Sequence, residues 1–394
     1  MVNAPHMRIK LPLRYILNPS TVVFLTALMS AIAWSIPDYD IFRKGFTNRV
    51  DLSFYSFFII FSWYIFICCF FYLGQRIGAV ASSIIHVDST VFDINNFKYL
   101  YLYSFLATVG VIFTYYKILS DLPLALIFQC ILNNQANQIK ESLYNNYSAG
   151  IMSLRYLVVF SSSLAASQYF KRKKFSTLLI LNMLLLISVT FISARLLLVA
   201  TLLNTIFITS YFKKNLQLKI FKGAFIILFF FFVLSILNFT RNADYYEMRG
   251  LSFWGAGLSE IITYLGAPFQ VSIRSAEVID NVTNVPAGTY RFYVDIESNL
   301  TTNSSFVHLH EQLGYAAWLY ISVLSLFFGF LFSFFVGFGR TIFMLSSGAI
   351  LYAAAELWRL NLFQQGIFIT WFVCSISLPI ISNPRYLLSK FIKL

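Results

Sequence analysis

Long apolar runs separated by short polar intervals recur along almost the whole chain. A helix crosses a bilayer with about 20 mostly apolar residues, within a range of about 17 to 25. Runs of that kind fall at 19–36, 52–74, 99–116, 149–170, 175–192, 196–212, 223–239, 314–336, 341–357 and 363–381. The pattern predicts an all-α polytopic membrane protein of about ten transmembrane helices, folded as a single membrane domain over 1–394. Three neighbouring pairs are separated only by KRKK (171–174), SAR (193–195) and GFGR (337–340), which predicts tight hairpins there.

Two polar intervals are longer. In 117–148, the segment LPLALIFQCIL (122–132) places apolar residues at helical spacing and reads as a helix lying in the membrane interface. In 240–313, LSEIITYLGAPF (258–269) reads the same way, ending at Gly266 with Pro268 just beyond, and 281–305 is turn-rich.

Charge orients this layout. Lys and Arg are denser in 1–18, 75–98, 171–174, 213–222, 337–340 and 382–394 than in the alternate intervals, which predicts cytoplasmic termini and an outward position for both long loops. The net charge of +13 follows from these short basic clusters, so nucleic acid is not an expected partner. With 58% hydrophobic and 11% charged residues and a mean hydropathy of +0.72, a soluble globular surface is excluded. Residues 1–18 are basic without a small-residue cleavage site and read as a retained cytoplasmic end. Cys68, Cys69, Cys130 and Cys374 have no CxxC spacing and suggest neither a disulfide framework nor a zinc site.

Candidate chemistry concentrates in the 240–313 loop. It holds Arg241, Arg249, Arg274 and Arg291 without a lysine, half of the chain's 16 acidic residues, and His308 and His310. Tyr245, Tyr246, Phe253, Trp254, Tyr264, Tyr290, Phe292 and Tyr293 are interleaved, a mixture that stacks on sugars and grips anions. Arg195 sits on an outer hairpin just before a new span, where free N–H groups and a guanidinium together suit an anion. Arg155 lies inside the fourth span, where an ionisable group needs a partner or a wet cavity. His308 or His310 could take a proton from a hydroxyl, with Glu311 orienting it. Against these stand plainer readings: loop arginines paired with Asp244, Glu247 or Glu297, an interfacial arginine at 195, and a helix-face pair of Glu356 with Arg359. Asp38 with Asp40, and Asp295 with Glu297, have a spacing that could hold a divalent metal. GxxxxGK[ST], HExxH and GxSxG are lacking, which argues against a P-loop ATPase, a zincin and a serine hydrolase.

Taken together, Arg195 on a hairpin that opens a span, a large loop rich in Arg and Tyr, and its ending in HEQLGYAAWLYISVLSLFFGFLF (310–332) resemble the bacterial O-antigen polymerase (Wzy) family and the related O-antigen ligases. The resemblance implies a GT-C-like membrane glycosyltransferase that needs neither metal nor cofactor. Its donor and acceptor would be undecaprenyl-diphosphate-linked glycans on the periplasmic face of the bacterial inner membrane. It implies diphosphate contacts from Arg195, Arg241 and Arg249, and a chain-length regulator and a flippase as partners. In the ligases the loop histidine stands several residues further from the next span, near where this chain has Asn303. A metal-dependent transferase using Asp38 and Asp40, and a lipid-linked oligosaccharide flippase, are the rival expectations.

Overall fold

The computed structural model describes residues 13–36, 52–133 apart from 86 and 89, 139, 150–192, 196–212, 228, 232–233, 235–236, 239, 243–296 apart from 249, and 303–384. Among them the fold is all-helical, with an isolated β-bridge between Asp93 and Thr341. Twelve helices carry the architecture: α1 (Pro19–Ser35), α2 (Phe54–Ile84), α3 (Phe97–Asp121), α4 (Leu124–Leu132), α5 (Val158–Arg172), α6 (Thr177–Ile192), α7 (Leu196–Phe212), α8 (Phe253–Glu277), α9 (Ser305–Leu313), α10 (Ala317–Gly337), α11 (Met344–Ala355) and α12 (Gly366–Ile381). Three continuous stretches, α2, α3 and Ser305–Gly337, are long and apolar enough to cross a membrane, and α1, α6, α7, α11 and α12 are shorter apolar helices. The expected run at 223–239 lies mostly outside the described residues.

Side-chain caps set several starts. Asn18, Ser53, Asn96, Ser252 and Ser304 each accept a backbone N–H from the first turn of α1, α2, α3, α8 and α9, satisfying a donor that a helix start leaves open. Other boundaries differ from the sequence expectation. α2 runs ten residues past Gly74, to Ile84, because Gly78 and Ser82 still have a partner helix to lie against. The fourth span opens with a 3-10 segment, Ile151–Leu157, before α5 begins.

α8 does not stop at Gly266 but continues through Pro268 to Glu277. A proline removes one i→i−4 bond from a helix. Ser30 Oγ of α1 donates to Leu265 O at 2.6 Å and Ser272 Oγ donates to Pro268 O at 2.8 Å, so hydroxyl bonds flank the gap. Trp34 of α1 also donates to Gln270 Oε1 at 2.7 Å and packs its ring against Phe269 at 5.3 Å. Tertiary contact therefore outweighs the local stop signal.

Glycine sets the closest pairing. α2 and α10 run side by side in the same direction, with a Cβ on Gly74 or Gly78 colliding with the backbone of Leu326 or Phe330. A Cβ on Gly329 would lie 2.5 Å from Phe71 O. In an apolar medium helices associate through such close packing of small residues, since burial from lipid gives little drive. α11 is the most enclosed helix: Met344 to Ala354 are all buried. Its small polar residues bond outward to the surrounding helices, Ser346 Oγ with Ser375 Oγ of α12 at 2.8 Å and Ser347 Oγ to Phe332 O of α10 at 3.0 Å. Large apolar side chains on the outer faces, such as Phe58, Phe105, Ile112, Leu184, Leu319 and Val373, are exposed, as a lipid-facing surface requires.

Contacts sort the loops into two ends. At one end Ile94 N donates to Arg340 O at 3.1 Å, Arg172 lies over the Phe97 ring at 4.3 Å, and Lys98 bonds Ser382 O and Asn383 Oδ1. At the other, Tyr352 OH donates to Leu196 O at 3.3 Å, Tyr64 OH to Trp358 O at 3.4 Å, and Ser305 Oγ to Leu357 O.

Candidate functional site

The second of these ends carries the folded part of the long polar interval. α9 is amphipathic: Phe306, Val307, Leu309 and His310 are buried, while His308 is only partly so. Two residues two apart on a helix sit about 200° around the axis from each other, so the histidines occupy different surroundings. His310 is fully buried; its ring lies 4.2 Å from Phe306 and 5.4 Å from Trp63, with Trp318 at 6.4 Å. Its Nδ1 is 2.7 Å from Phe306 O, so Nδ1 carries the proton that this carbonyl accepts. His308 Nε2 instead stands 3.2 Å from Gln312 Nε2, near the surface.

Glu311 departs from its expected place beside a histidine. Its buried carboxylate accepts from Gly288 N at 3.1 and 3.2 Å and from Tyr290 N at 2.9 Å. Those amides open the 3-10 turn Thr289–Phe292, which Gly288 enters with φ +94°, a conformation that glycine adopts without strain. The carboxylate thus fastens the turn to α9. Asn284 N to His310 O and Val285 N to Glu311 O, both 3.1 Å, extend the seam. Gly314, at φ +58°, lets the chain pass over the Asn284 side chain into α10.

Arg274 holds the other side of this loop. Its Nη1 bonds Glu277 at 2.8 Å, and its Nε donates to Tyr293 O at 3.0 Å and lies 3.5 Å from Asp295. It is internally committed, in place of the open anion contact that the sequence suggested. Arg291 is exposed and lies 6.0 Å from the ring of Tyr290, and Phe292 beside it is exposed too. Burial pushes the Tyr290 phenol above its ordinary value, with the Arg291 charge and hydrogen bond pulling it back. Of the aromatics proposed for sugar stacking, Trp254 and Phe292 are exposed, whereas Tyr246 is buried with its hydroxyl donating to Glu260 at 2.7 Å.

Arg155 belongs to another part of the bundle. It is fully buried where the Ile151–Leu157 segment meets Gly110 of α3, with Nη1 3.3 Å from Thr114 Oγ1, Nη2 2.9 Å from Tyr156 OH, and the guanidinium 4.7 Å from the Tyr156 ring. Glu356 and Arg359 do pair with each other, at 3.1 Å, and Arg359 also lies 4.5 Å from the Tyr264 ring. Arg195, Arg241, Arg249, Asp38, Asp40 and Glu297 lie outside the described residues. Asn303 is described, its Oδ1 accepting from Ser304 N at 2.7 Å. Among the described residues no group of three His, Cys, Asp or Glu is placed to hold a metal ion.

Some features of this end had no sequence signal. Trp63 and Trp318 are ordinary span residues in the sequence, and nothing at their positions announces that they box in His310. Asn361 is wholly buried with neither amide atom hydrogen-bonded among the described residues, just beyond the Glu356 and Arg359 pair. No family model, curated protein or solved structure matches the chain.

Proposed function

We propose that the chain is a membrane glycosyltransferase that polymerises undecaprenyl-diphosphate-linked repeat units of a surface polysaccharide at the outer face of a bacterial inner membrane. The observation that carries the reading is the half-buried His308 on α9 together with the exposed Arg291 and Phe292 of the 3-10 turn that is clamped to α9 at one end of an apolar bundle. Glu311 and Arg274 do the clamping, so in this reading His308 would serve as general base, Arg291 as phosphate-binding fork and Phe292 as stacking ring on supports fixed to the bundle.

In this reading the acceptor hydroxyl attacks the anomeric carbon of the donor. The bond from that carbon to the lipid diphosphate breaks, and His308 takes the hydroxyl proton. Arg291, with Arg195, Arg241 and Arg249, meets the charge that grows on the leaving diphosphate. α7 starts at Leu196 at the same end, and Arg195 immediately precedes it in the sequence. His308 is preferred to His310 as base because His310 is fully buried inside an aromatic box, whereas His308 is only partly buried. A span count near ten, cytoplasmic termini and a chain-length regulator and flippase as partners belong to the same proposal.

The glycan made by a deletion strain tests it. Single repeat units on lipid A support a polymerase, whereas complete absence of repeats supports a flippase and unattached long chains support a ligase. The flippase is the one rival with an observation of its own, the buried Arg155 between α3 and α5.

A further inference from the structure

The opposite end of the bundle holds a second candidate. A cavity of about 220 Å³ opens between the last turns of α5 and α7 and the segment after α10, lined by Ser167, Phe170, Lys171, Thr209, Phe212 and Arg340. Its volume is several times the roughly 30 Å³ share of one water molecule. Lys171 Nζ and the Arg340 guanidinium converge on one ring, 5.6 and 5.7 Å from the centre of Phe212. Like charges gathered on one face repel each other unless an anion lies between them. No carboxylate of the described residues pairs with either cation. Asp93, whose backbone bridges to Thr341, has its Oδ1 committed to the Asn95 backbone and side-chain amides at 2.9 and 2.7 Å.

Three helix C-termini meet here and offer about half a negative charge each. That offsets part of the two charges, but Arg172, Lys173 and Lys174 follow directly. A second observation is independent of charge. Thr209 is 8% exposed and lines the cavity, yet its hydroxyl makes no hydrogen bond among the described residues. Thr205, one turn earlier, donates to Thr201 O at 2.7 Å, so the helix offers this solution and Thr209 does not take it. A buried hydroxyl without a partner costs about 1 to 3 kcal/mol, which a ligand oxygen would recover.

We propose that this cavity binds a phosphate group, with Lys171 and Arg340 supplying charge and Thr209 a hydroxyl donor. Phosphate suits it better than carboxylate, because its several oxygens can meet an ammonium, a guanidinium and a hydroxyl together. The phosphate comes either from an anionic phospholipid of the adjoining leaflet or from a soluble phosphate compound. The site is separate from the proposed glycosyl transfer at the other end, and neither depends on the other.

The test uses the full chain in nanodiscs of phosphatidylcholine, with or without phosphatidylglycerol. Retained lipid is read by native mass spectrometry, and thermal unfolding is read with inorganic phosphate added. At about fivefold per cation near a membrane surface, Lys171→Gln with Arg340→Gln should lose roughly 25-fold in anion retention. Thr209→Val, nearly the same shape, should lose about fivefold. Lys173→Gln with Lys174→Gln removes equal charge outside the cavity and should change retention little. Selective retention of phosphatidylglycerol assigns the site to lipid; a phosphate-dependent rise in unfolding temperature in phosphatidylcholine alone assigns it to a soluble phosphate. Equal losses in the two double variants, unchanged retention in Thr209→Val, or no response to either probe would overturn the proposal.

Discussion

At the scale of single residues, the two histidines differ by their partners and not by their chemistry. His310 has a carbonyl at 2.7 Å and aromatic rings around it, so it fills a structural position; His308 is only partly buried and stands beside the surface amide of Gln312. His308→Ala should therefore insert normally and lose polymer formation by about 10² to 10⁴-fold, the usual contribution of a general base. His310→Ala should instead lower the unfolding temperature, because it empties the space beside Trp63 and Phe306. Polymer yield and thermal unfolding, measured on both variants at matched protein levels, separate the roles; full activity in His308→Ala would remove it as the base. Glu311 makes a sharper structural prediction. Glu311→Gln keeps the shape but gives up a charge that three backbone contacts use, at a cost of about 1.5 to 3 kcal/mol. The loop from 284 to 292 should then exchange amide hydrogens faster, while exchange in α2 and α10 stays as it was.

At the scale of elements, packing decides what the periodic pattern leaves open. The α2 and α10 contact needs backbone approach at Gly74 and Gly78, and no side chain can be admitted there without moving a carbonyl. Gly78→Leu should reduce folded yield and cost at least the 1 to 3 kcal/mol or so typical of overpacking, whereas Gly366→Ala, at the open start of α12, disturbs no neighbouring atom. Fluorescence-detected size exclusion of the two proteins compares them directly. The sequence revealed most helices because lipid-facing and buried residues are alike apolar, which makes a span easy to see and its partners hard to see. Hence α4 lies almost where its apolar spacing placed it, and Glu356 finds Arg359 three residues on. Pro268 misled because its helix is tied to α1 through Ser30 and Leu265, 235 positions apart in sequence, which no local signal encodes. Arg274 and Glu311 were visible as charged loop residues, but charge alone does not say that their partners are Tyr293, Gly288 and Tyr290 inside the same loop.

At the scale of the whole molecule, the arrangement is a bundle whose ends differ in chemistry. One end gathers Lys98, Lys171, Arg172 and Arg340, and the other gathers the folded loop with its carboxylates, histidines and exposed rings. That division gives the proposed orientation a direct check, since basic ends stay on the cytoplasmic side. A reporter fused after Arg172 should register inside and one after Val282 outside; the reverse would put the loop on a face where the proposed substrate does not arrive. Direct evidence for the central claim comes from the purified protein, reconstituted with undecaprenyl-diphosphate-linked repeat units and followed by the length of the glycan on the lipid. The account predicts a ladder of multiples of the repeat, with release of undecaprenyl diphosphate, in the native protein and its near absence in His308→Ala. A reconstituted, correctly folded native protein that leaves the single repeat unit unextended would contradict it.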